Sequence, residues 1–323
     1  MTKKIEETIT KKHHALGTNI VLTLFGTTNQ KILDQSTDLI DYYEDLLTVN
    51  RAESELMDVN YAAGEHAVTV SNSTYQLAKL AVMVSREEQG FNALIGPLVK
   101  LWKIGFAGAN VPTNEEIQAR LNLINPNDVE LDDKELSIFL KKPGMEIDLG
   151  GIAKGYIADR VRDLWRAYDV RAGIINLGGN LLFVGTAPAH ADDKWRIGIQ
   201  NPLDKRGEII ASVTLEECSA VTSGIYERTF TKNGKQYHHI LNPLTGYPTE
   251  NNLLSVTVFT KKSVDAEIYT TQFFFNGAPE ASWYLSHPEV YGAVFVTKAH
   301  EIIVSGLANI PVQILNLDYV LMN

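Results

Sequence analysis

The second half of the chain limits the possible folds most, because short β-type segments follow one another there with glycine-containing turns between them. These segments are rich in Val, Ile, Leu and Thr, which suit a pleated, half-buried surface. Short turns join antiparallel neighbours, since parallel strands need a crossover of a dozen or more residues. The pattern therefore predicts antiparallel-leaning sheets. With three earlier segments included, the predicted strands are 19–25, 136–140, 146–148, 173–177, 181–184, 195–200, 209–215, 230–241, 254–259, 290–297 and 301–305.

Helices are predicted where apolar residues recur at helical spacing. Thr113 or Asn114 is a candidate N-cap for one of them, and Ser263 is a candidate N-cap for the last. No segment rich in Pro, Gly or Ser separates the elements, so we predict a single α+β domain over residues 1–323, with helices packed on the outer faces of the sheets. The predicted helices lie at about 32–47, 73–88, 113–123, 152–168 and 263–277.

Charge and cysteine content exclude several classes of protein. The 323 residues include 29 Lys and Arg against 39 Asp and Glu, which gives a formal charge of −10. This balance argues against non-specific binding to nucleic acid or to anionic membranes, which needs clustered cations. One cysteine, Cys218, excludes an internal disulfide and a cysteine-based zinc site. Because two glutamates precede it, we expect a packed, unreactive thiol.

No apolar run approaches the roughly 20 residues that a membrane-spanning helix needs. The polar segment 1–14 also lacks the apolar core of a secretory signal. We therefore expect a cytoplasmic protein without a transmembrane segment. The alternative is an exported membrane lipoprotein whose signal is absent from this chain.

Residues 148–156 (Asp-Leu-Gly-Gly-Ile-Ala-Lys-Gly-Tyr) place an acid and two glycines at the start of a helix, with Lys154 in its first turn. Backbone amides at a helix N-terminus together with a lysine can hold a phosphate. A tight turn with a capping Asp148 explains the same residues equally well. Residues 176–180 (Asn-Leu-Gly-Gly-Asn) favour a structural hairpin. At 222–228, Thr222 and Ser223 offer hydroxyls to phosphate or ribose oxygens, or stabilise a turn.

Two further patterns carry polar side chains. His238 and His239 are adjacent on a predicted strand, so they point to opposite faces, and either an acid–base role or a structural one is open. Glu267 and Thr271 lie four residues apart on the last helix and therefore share one face. Their oxygens suit Mg²⁺, although a solvated helix face would show the same pattern. Thr270 lies at the edge of that face.

In this order along the chain, the motifs resemble those of the ApbE-type FAD:protein FMN transferases. The resemblance runs from about residue 15 to about residue 277, and its most specific blocks are 148–156, 176–180, 222–228 and 239–248. It implies a single α+β domain that takes FAD as substrate and Mg²⁺ as cofactor. It further implies transfer of FMN to a Thr or Ser hydroxyl of an acceptor protein that carries a D-x-x-[ST]-[GS]-A-T type motif, with release of AMP.

The resemblance also implies residue roles. The implied catalytic residues are His239, Glu267 and Lys154. The implied metal ligands are Gly151, through its carbonyl, and Glu267, Thr270 and Thr271. The implied cofactor-binding residues are Leu16, Asn50, Asn92, Ala93, Leu94, Asp148, Lys154, Ser223, His239 and Ile240.

Three positions depart from the family pattern: Leu16 replaces Met, Asn50 replaces Tyr, and Glu267 replaces Asp. Two other functions stay open beside the transferase. If water replaces the acceptor hydroxyl, the protein is an FAD pyrophosphatase that produces FMN and AMP. If cleavage is lost, it is a flavin-binding protein without turnover.

Overall fold

The computed structural model describes residues 7–308 and 310–322. Its helices are α1 (Gln30–Leu47), α2 (Glu55–Tyr61), α3 (Asn72–Ser85), α4 (Gly96–Trp102), α5 (Asn114–Leu121), α6 (Ala153–Ala167), α7 (Ser263–Asn276) and α8 (Trp283–Ser286), with a 3-10 turn at Pro126–Asp128. Its strands are β1 (Thr8–Ala15), β2 (Thr18–Phe25), β3 (Val68–Thr69), β4 (Val129–Asp132), β5 (Ser137–Leu140), β6 (Ala172–Leu177), β7 (Asn180–Gly185), β8 (Trp195–Gln200), β9 (Ile209–Leu215), β10 (Cys218–Gly224), β11 (Thr229–Lys232), β12 (Lys235–His238), β13 (Leu253–Thr260), β14 (Val290–Thr297), β15 (Glu301–Gly306), β16 (Val312–Ile314) and β17 (Val320–Met322).

The contacts between residues divide the chain into two compact units. The first unit comprises the described residues of 1–44, 154–224 and 252–323, and the second comprises 45–153 and 225–251. Each unit is discontinuous in sequence, because the chain leaves the first unit twice and returns to it. The single domain predicted for residues 1–323 stays a prediction.

A large mixed sheet forms the centre of the first unit. Over the described residues it has nine strands, in the order β1-β2-β6-β7-β10-β13-β14-β15-β17. Its neighbours are antiparallel except at the edge, where β17 runs parallel to β15. A smaller antiparallel sheet in the same unit has the order β16-β9-β8. The predicted α+β class with antiparallel-leaning sheets describes this arrangement.

The two faces of the large sheet are covered differently. On one face, Val294 and Val296 share a buried apolar cluster with residues of β8 and β9. On the other face, Phe295 packs on Phe273 of α7 with the ring centroids 6.2 Å apart. Helices therefore cover one face of the large sheet, and the smaller sheet covers the other.

The second unit combines short strands with helices α2 to α5. Strands β3, β5 and β4 form one antiparallel sheet, and the predicted strand 230–241 is instead a hairpin, in which β11 pairs with β12 across Asn233 and Gly234. Both turn residues have positive φ, as a two-residue hairpin turn requires. Thr113 caps α5, as predicted, and exchanges hydrogen bonds of 3.2 and 2.8 Å with Glu116.

Several predicted elements were wrong or missing. Residues 146–148 are not a strand, because the backbone amide and carbonyl of Ile147 bond to the side chain of Asn60 instead of a neighbouring strand. Strands β1, β4 and β10 and helix α2 were not predicted at all. Ser263 is the first residue of α7 rather than its N-cap, which is Lys262.

In the described parts of the chain, no helix combines the length and the hydrophobicity needed to cross a bilayer.

Candidate functional site

Helix α7 packs against β10 and β13 and carries Glu267 as a buried residue. Glu267 Oε1 accepts a hydrogen bond from the side-chain amide of Asn180 at 2.9 Å and lies 3.5 Å from Lys154 Nζ. Across residues 7–308 and 310–322, no hydrogen bond involves Glu267 Oε2. The carboxylate therefore keeps one oxygen available for a ligand.

Thr270 and Thr271 follow Glu267 on the same helix. Their hydroxyls donate to the backbone carbonyl of Glu267 at 3.0 and 3.3 Å, respectively. Thr270 is fully buried, whereas Thr271 is half-buried. Each hydroxyl oxygen keeps lone pairs for a cation, but only that of Thr271 belongs to a partly exposed side chain.

The start of α7 is fixed by a residue from α6. The carboxylate of Asp159 accepts hydrogen bonds from the backbone amides of Ser263 and Val264, both at 3.0 Å, and lies 2.9 Å from the guanidinium of Arg162. Burial raises the pKa of Asp159, while Arg162 and the two amides oppose that rise. Asp159 thus does the capping that the sequence assigned to Ser263, at a separation of 104 residues.

Gly155 allows α6 to approach α7 closely. A Cβ at this position would lie 2.7 Å from the carbonyl carbon of Ser263 and 2.8 Å from Cγ of Glu267. No side chain fits there unless the helices move apart. The glycine of the 148–156 block is therefore needed for helix packing around Glu267, in addition to any role in the preceding turn.

Sequence reasoning missed Asn180. The predicted hairpin at 176–180 is confirmed, with Leu177 paired to Asn180 across the two glycines, but the motif was interpreted as a turn only. Asn180 is nevertheless buried and binds Glu267, which lies 87 residues away. The available signal was an asparagine at the start of a strand that is otherwise apolar, because a buried amide needs partners.

In the second unit, Asp148 lies in a tight turn before α6. Its Oδ1 accepts a hydrogen bond from the amide of Gly150 at 2.8 Å, so this acid stabilises the turn. Burial raises the pKa of Asp148, and the Gly150 amide partly offsets this rise. Gly151 is exposed, so its backbone is accessible.

The structure brings residues 92–94 next to Asp148. The amide of Asp148 donates to the carbonyl of Ala93 at 2.7 Å. Asn92 holds the turn from inside, because its side chain accepts from the Leu94 amide at 2.8 Å and donates to the Ile124 carbonyl at 2.9 Å. Ala93 and Leu94 are fully buried, so a role in binding belongs to their backbone rather than their side chains.

His239 and Ile240 follow β12 directly and are half-buried. The amide of His239 donates to the carbonyl of Arg228 at 3.2 Å, and the carbonyl of Ile240 accepts from Thr249 at 2.9 Å. The neighbouring His238 places Nε2 2.9 Å from the Thr249 carbonyl. Backbone hydrogen bonds therefore fix the segment that carries His239.

The other predicted residues are Leu16, Ser223 and Asn50. Leu16 occupies the β1–β2 turn with a φ of +56°, which is unusual for a leucine. Ser223 lies on β10 opposite Val256, and no hydrogen bond among the described residues joins it to Glu267. Asn50 is exposed in the second unit, and its amide donates to the Thr48 hydroxyl at 3.2 Å.

The donors around Glu267 fit Mg²⁺ better than a softer metal. The described residues contain no cluster of three His, Cys, Asp or Glu side chains that could hold an ion. Glu267 and Thr271 instead offer one carboxylate oxygen and one hydroxyl. Mg²⁺ typically uses one or two carboxylates together with water and substrate phosphates, so a sparse set of hard oxygens suits it.

Comparison with known proteins shows the family. A model described as the ApbE family matches residues 16–295. The chain belongs to the ApbE family. It is 48% identical over 293 residues to a protein of Klebsiella pneumoniae (strain 342) named FAD:protein FMN transferase, with 90% of this chain and 89% of the relative covered. A Treponema pallidum (strain Nichols) protein of the same name is 34% identical, with 76% and 71% covered.

Solved ApbE structures share the fold. The ApbE protein of Thermotoga maritima superposes with a TM-score of 0.83 at 27% identity, and the match covers 94% of this chain and 98% of that one. A Vibrio cholerae structure titled Flavin Transferase ApbE gives a TM-score of 0.79 at 24% identity, which shows the fold alone. The ApbE family assignment and the α+β fold made from the sequence are thus both confirmed.

Proposed function

We propose that this ApbE-family protein is an Mg²⁺-dependent FAD:protein FMN transferase. An acceptor Thr or Ser hydroxyl oxygen bonds to the FMN-side phosphorus of FAD, the bond from that phosphorus to the bridging oxygen breaks, and AMP leaves with the bridging oxygen. The observation that carries the proposal is the open carboxylate oxygen of Glu267 beside Lys154, in a chain 48% identical to a protein of that name.

The proposed metal ligands are Glu267, Thr271 and the Gly151 carbonyl, with Thr270 retained as a predicted fourth. The chemistry that a bound Mg²⁺ supplies is neutralisation of charge on the phosphate oxygens. Lys154 adds a further positive charge close to Glu267. Phosphoryl transfer depends mainly on positioning and charge neutralisation, which is what these groups provide.

His239 is proposed to take the proton of the attacking hydroxyl or to orient the phosphate. The proposed binding residues for FAD are those implied by the resemblance. Of these, Asp148 and the 92–94 turn form one hydrogen-bonded group. An ionised carboxylate accepts hydrogen bonds and repels phosphates, so the proposed role of Asp148 is to accept a hydrogen bond from a ribose or flavin donor.

The roles of Glu267 and His239 are tested by FAD turnover. Purified protein with FAD and Mg²⁺ is followed by chromatography for AMP, beside Glu267→Ala and His239→Ala. We expect Glu267→Ala to lose Mg²⁺-dependent release of AMP, and His239→Ala to bind FAD while releasing AMP about 100-fold more slowly or worse. Unchanged AMP release by Glu267→Ala would refute the metal site, and an unchanged rate for His239→Ala would remove it from the chemistry.

We infer a cytoplasmic site of action. Cell fractionation tests this inference: the native protein is expected in the cytosolic fraction, and a lipid-modified form in the membrane fraction would contradict it.

A further inference from the structure

Three buried side chains form a continuous hydrogen-bond relay in the first unit. The Ser263 hydroxyl donates to Asn180 Oδ1 at 2.9 Å, and Asn180 Nδ2 donates to Glu267 Oε1 at 2.9 Å. Their exposed fractions are 0%, 2% and 7% for Ser263, Asn180 and Glu267. Chemistry fixes the amide orientation, because a carboxylate only accepts and the Ser263 hydroxyl supplies the proton at the other end.

We propose that Asn180 is a positioning residue that orients the carboxylate of Glu267 so that Oε2 alone faces a bound cation. This inference rests on the proposed function, in which Glu267 is a metal ligand. A glutamate has three side-chain torsions to fix, and the hydrogen bond to Oε1 restrains them. A ligand that is held in advance binds its ion more tightly than one that must be ordered on binding.

The two oxygens of Glu267 are placed unequally. Oε1 accepts a hydrogen bond from Asn180 at 2.9 Å and lies 3.5 Å from Lys154 Nζ, whereas Oε2 has no hydrogen bond from any described residue. The arrangement predicts one-oxygen coordination by Glu267.

The relay anchors the carboxylate to its own helix. Ser263 is the first residue of α7, and its amide is held by Asp159. Asn180 begins β7 directly after the two-glycine turn. The side chain of Glu267 is therefore held both by the first residue of its helix and by a strand of the sheet. Loss of the Asn180 side chain should move the carboxylate without unfolding α7.

A purely structural role for Asn180 makes a different prediction, and Asn176 supplies the matched control. Asn176 lies in the same hairpin, and its Oδ1 accepts from the Gly179 amide at 2.9 Å. Replacement of Asn176 is expected to perturb the turn and to leave the contact between Asn180 and Glu267 in place, because the Asn176 side chain bonds only to the Gly179 amide among the described residues. If Asn180 only stabilised the hairpin, Asn176→Ala and Asn180→Ala would have similar effects.

The test measures Mn²⁺ binding to the full chain by electron paramagnetic resonance of the free ion, with Mg²⁺ competition and thermal melting of each variant. We expect Asn180→Ala to raise the Mn²⁺ Kd about 10- to 100-fold. Asn176→Ala should keep the wild-type Kd. Ser263→Ala, which removes only the far end of the relay, should raise the Kd by a smaller factor.

The outcomes separate this inference from the proposed function. If Glu267→Ala binds Mn²⁺ as the wild type does, the metal assignment itself fails. If Glu267→Ala loses binding while Asn180→Ala keeps it, the positioning role is overturned and the metal site stands. If Asn180→Ala does not fold, Ser263→Ala decides: a weaker Mn²⁺ affinity supports the relay, and an unchanged one overturns it.

Discussion

At the scale of single residues, Gly155 shows how tightly the surroundings of Glu267 are packed. Alanine in a helix interior is ordinarily about 1 kcal/mol more favourable than glycine. Here the added methyl would meet the Ser263 backbone and Glu267 Cγ. We therefore expect Gly155→Ala to destabilise the protein by about 1–3 kcal/mol, measured by urea denaturation. A variant more stable than the wild type would show that the two helices are not in this contact.

Cys218 gives a second prediction at this scale. Its thiol is buried, and burial, with a smaller contribution from Glu217, raises its pKa well above the ordinary value. Only the thiolate reacts with disulfide reagents, so we expect no reaction with Ellman's reagent in the native state at pH 8 and full reaction in denaturant. Rapid labelling of the native protein would contradict the placement of Cys218 inside β10.

Single residues also mark the limit of sequence reasoning. The spacing of Glu267 and Thr271 predicted a shared helix face, and both residues lie on α7. The hydrogen-bond partner of Glu267 was not predictable. Asn180 lies in another motif, 87 residues away, and sequence patterns describe only contacts between residues that are close in the chain. The capping role of Asp159 was not predictable either, because Asp159 and Ser263 are 104 residues apart.

At the scale of elements, the start of α7 depends on α6. Removal of one partner from a buried ion pair leaves an uncompensated charge, and Asp159 also satisfies two backbone amides. We expect Asp159→Ala to lower the free energy of unfolding by about 3–5 kcal/mol. Thermal or denaturant melting measures the loss.

Asp163 is the matched control for that variant. It lies on the same helix and pairs with Arg160 at 2.9 Å, but both side chains are about half exposed. We expect Asp163→Ala to cost less than about 1 kcal/mol. Equal losses for the two variants would mean that Asp159 has no special role at the start of α7.

Sequence patterns predicted elements well where one face is buried. The predicted limits of β8 and β9 agree with the structure, because alternation is clear there. Strand β10 was missed because its six residues before Gly224 are small and the strand lies between β7 and β13, which leaves no clear alternation to detect. Strand β1 was missed because its lysines and histidines are typical of an irregular polar segment. Charged residues of this kind also protect the edge strand of a sheet, which is the position of β1.

At the scale of the whole molecule, the net charge of −10 and an anionic substrate are compatible because charge acts locally. The net charge is a sum over the chain as a whole, whereas a substrate meets the charges nearest to it. Lys154, which lies beside Glu267 in the first unit, is such a local positive charge. The chain forms two compact units. Which residues form each unit could not be predicted, because both are discontinuous in sequence and no linker composition marks their limits.

Transfer of FMN to an acceptor protein is the central claim of the proposed function, and it requires the whole molecule. One measurement tests it most directly. The protein is incubated with FAD, Mg²⁺ and an acceptor that carries a D-x-x-[ST]-[GS]-A-T type motif, and intact masses and AMP are followed together. The controls are an acceptor with alanine at the Thr or Ser position and a reaction with EDTA. We predict that the acceptor gains one FMN for each AMP released, and that neither control is labelled. Release of AMP with free FMN and no gain of acceptor mass would contradict the transferase and leave an FAD pyrophosphatase.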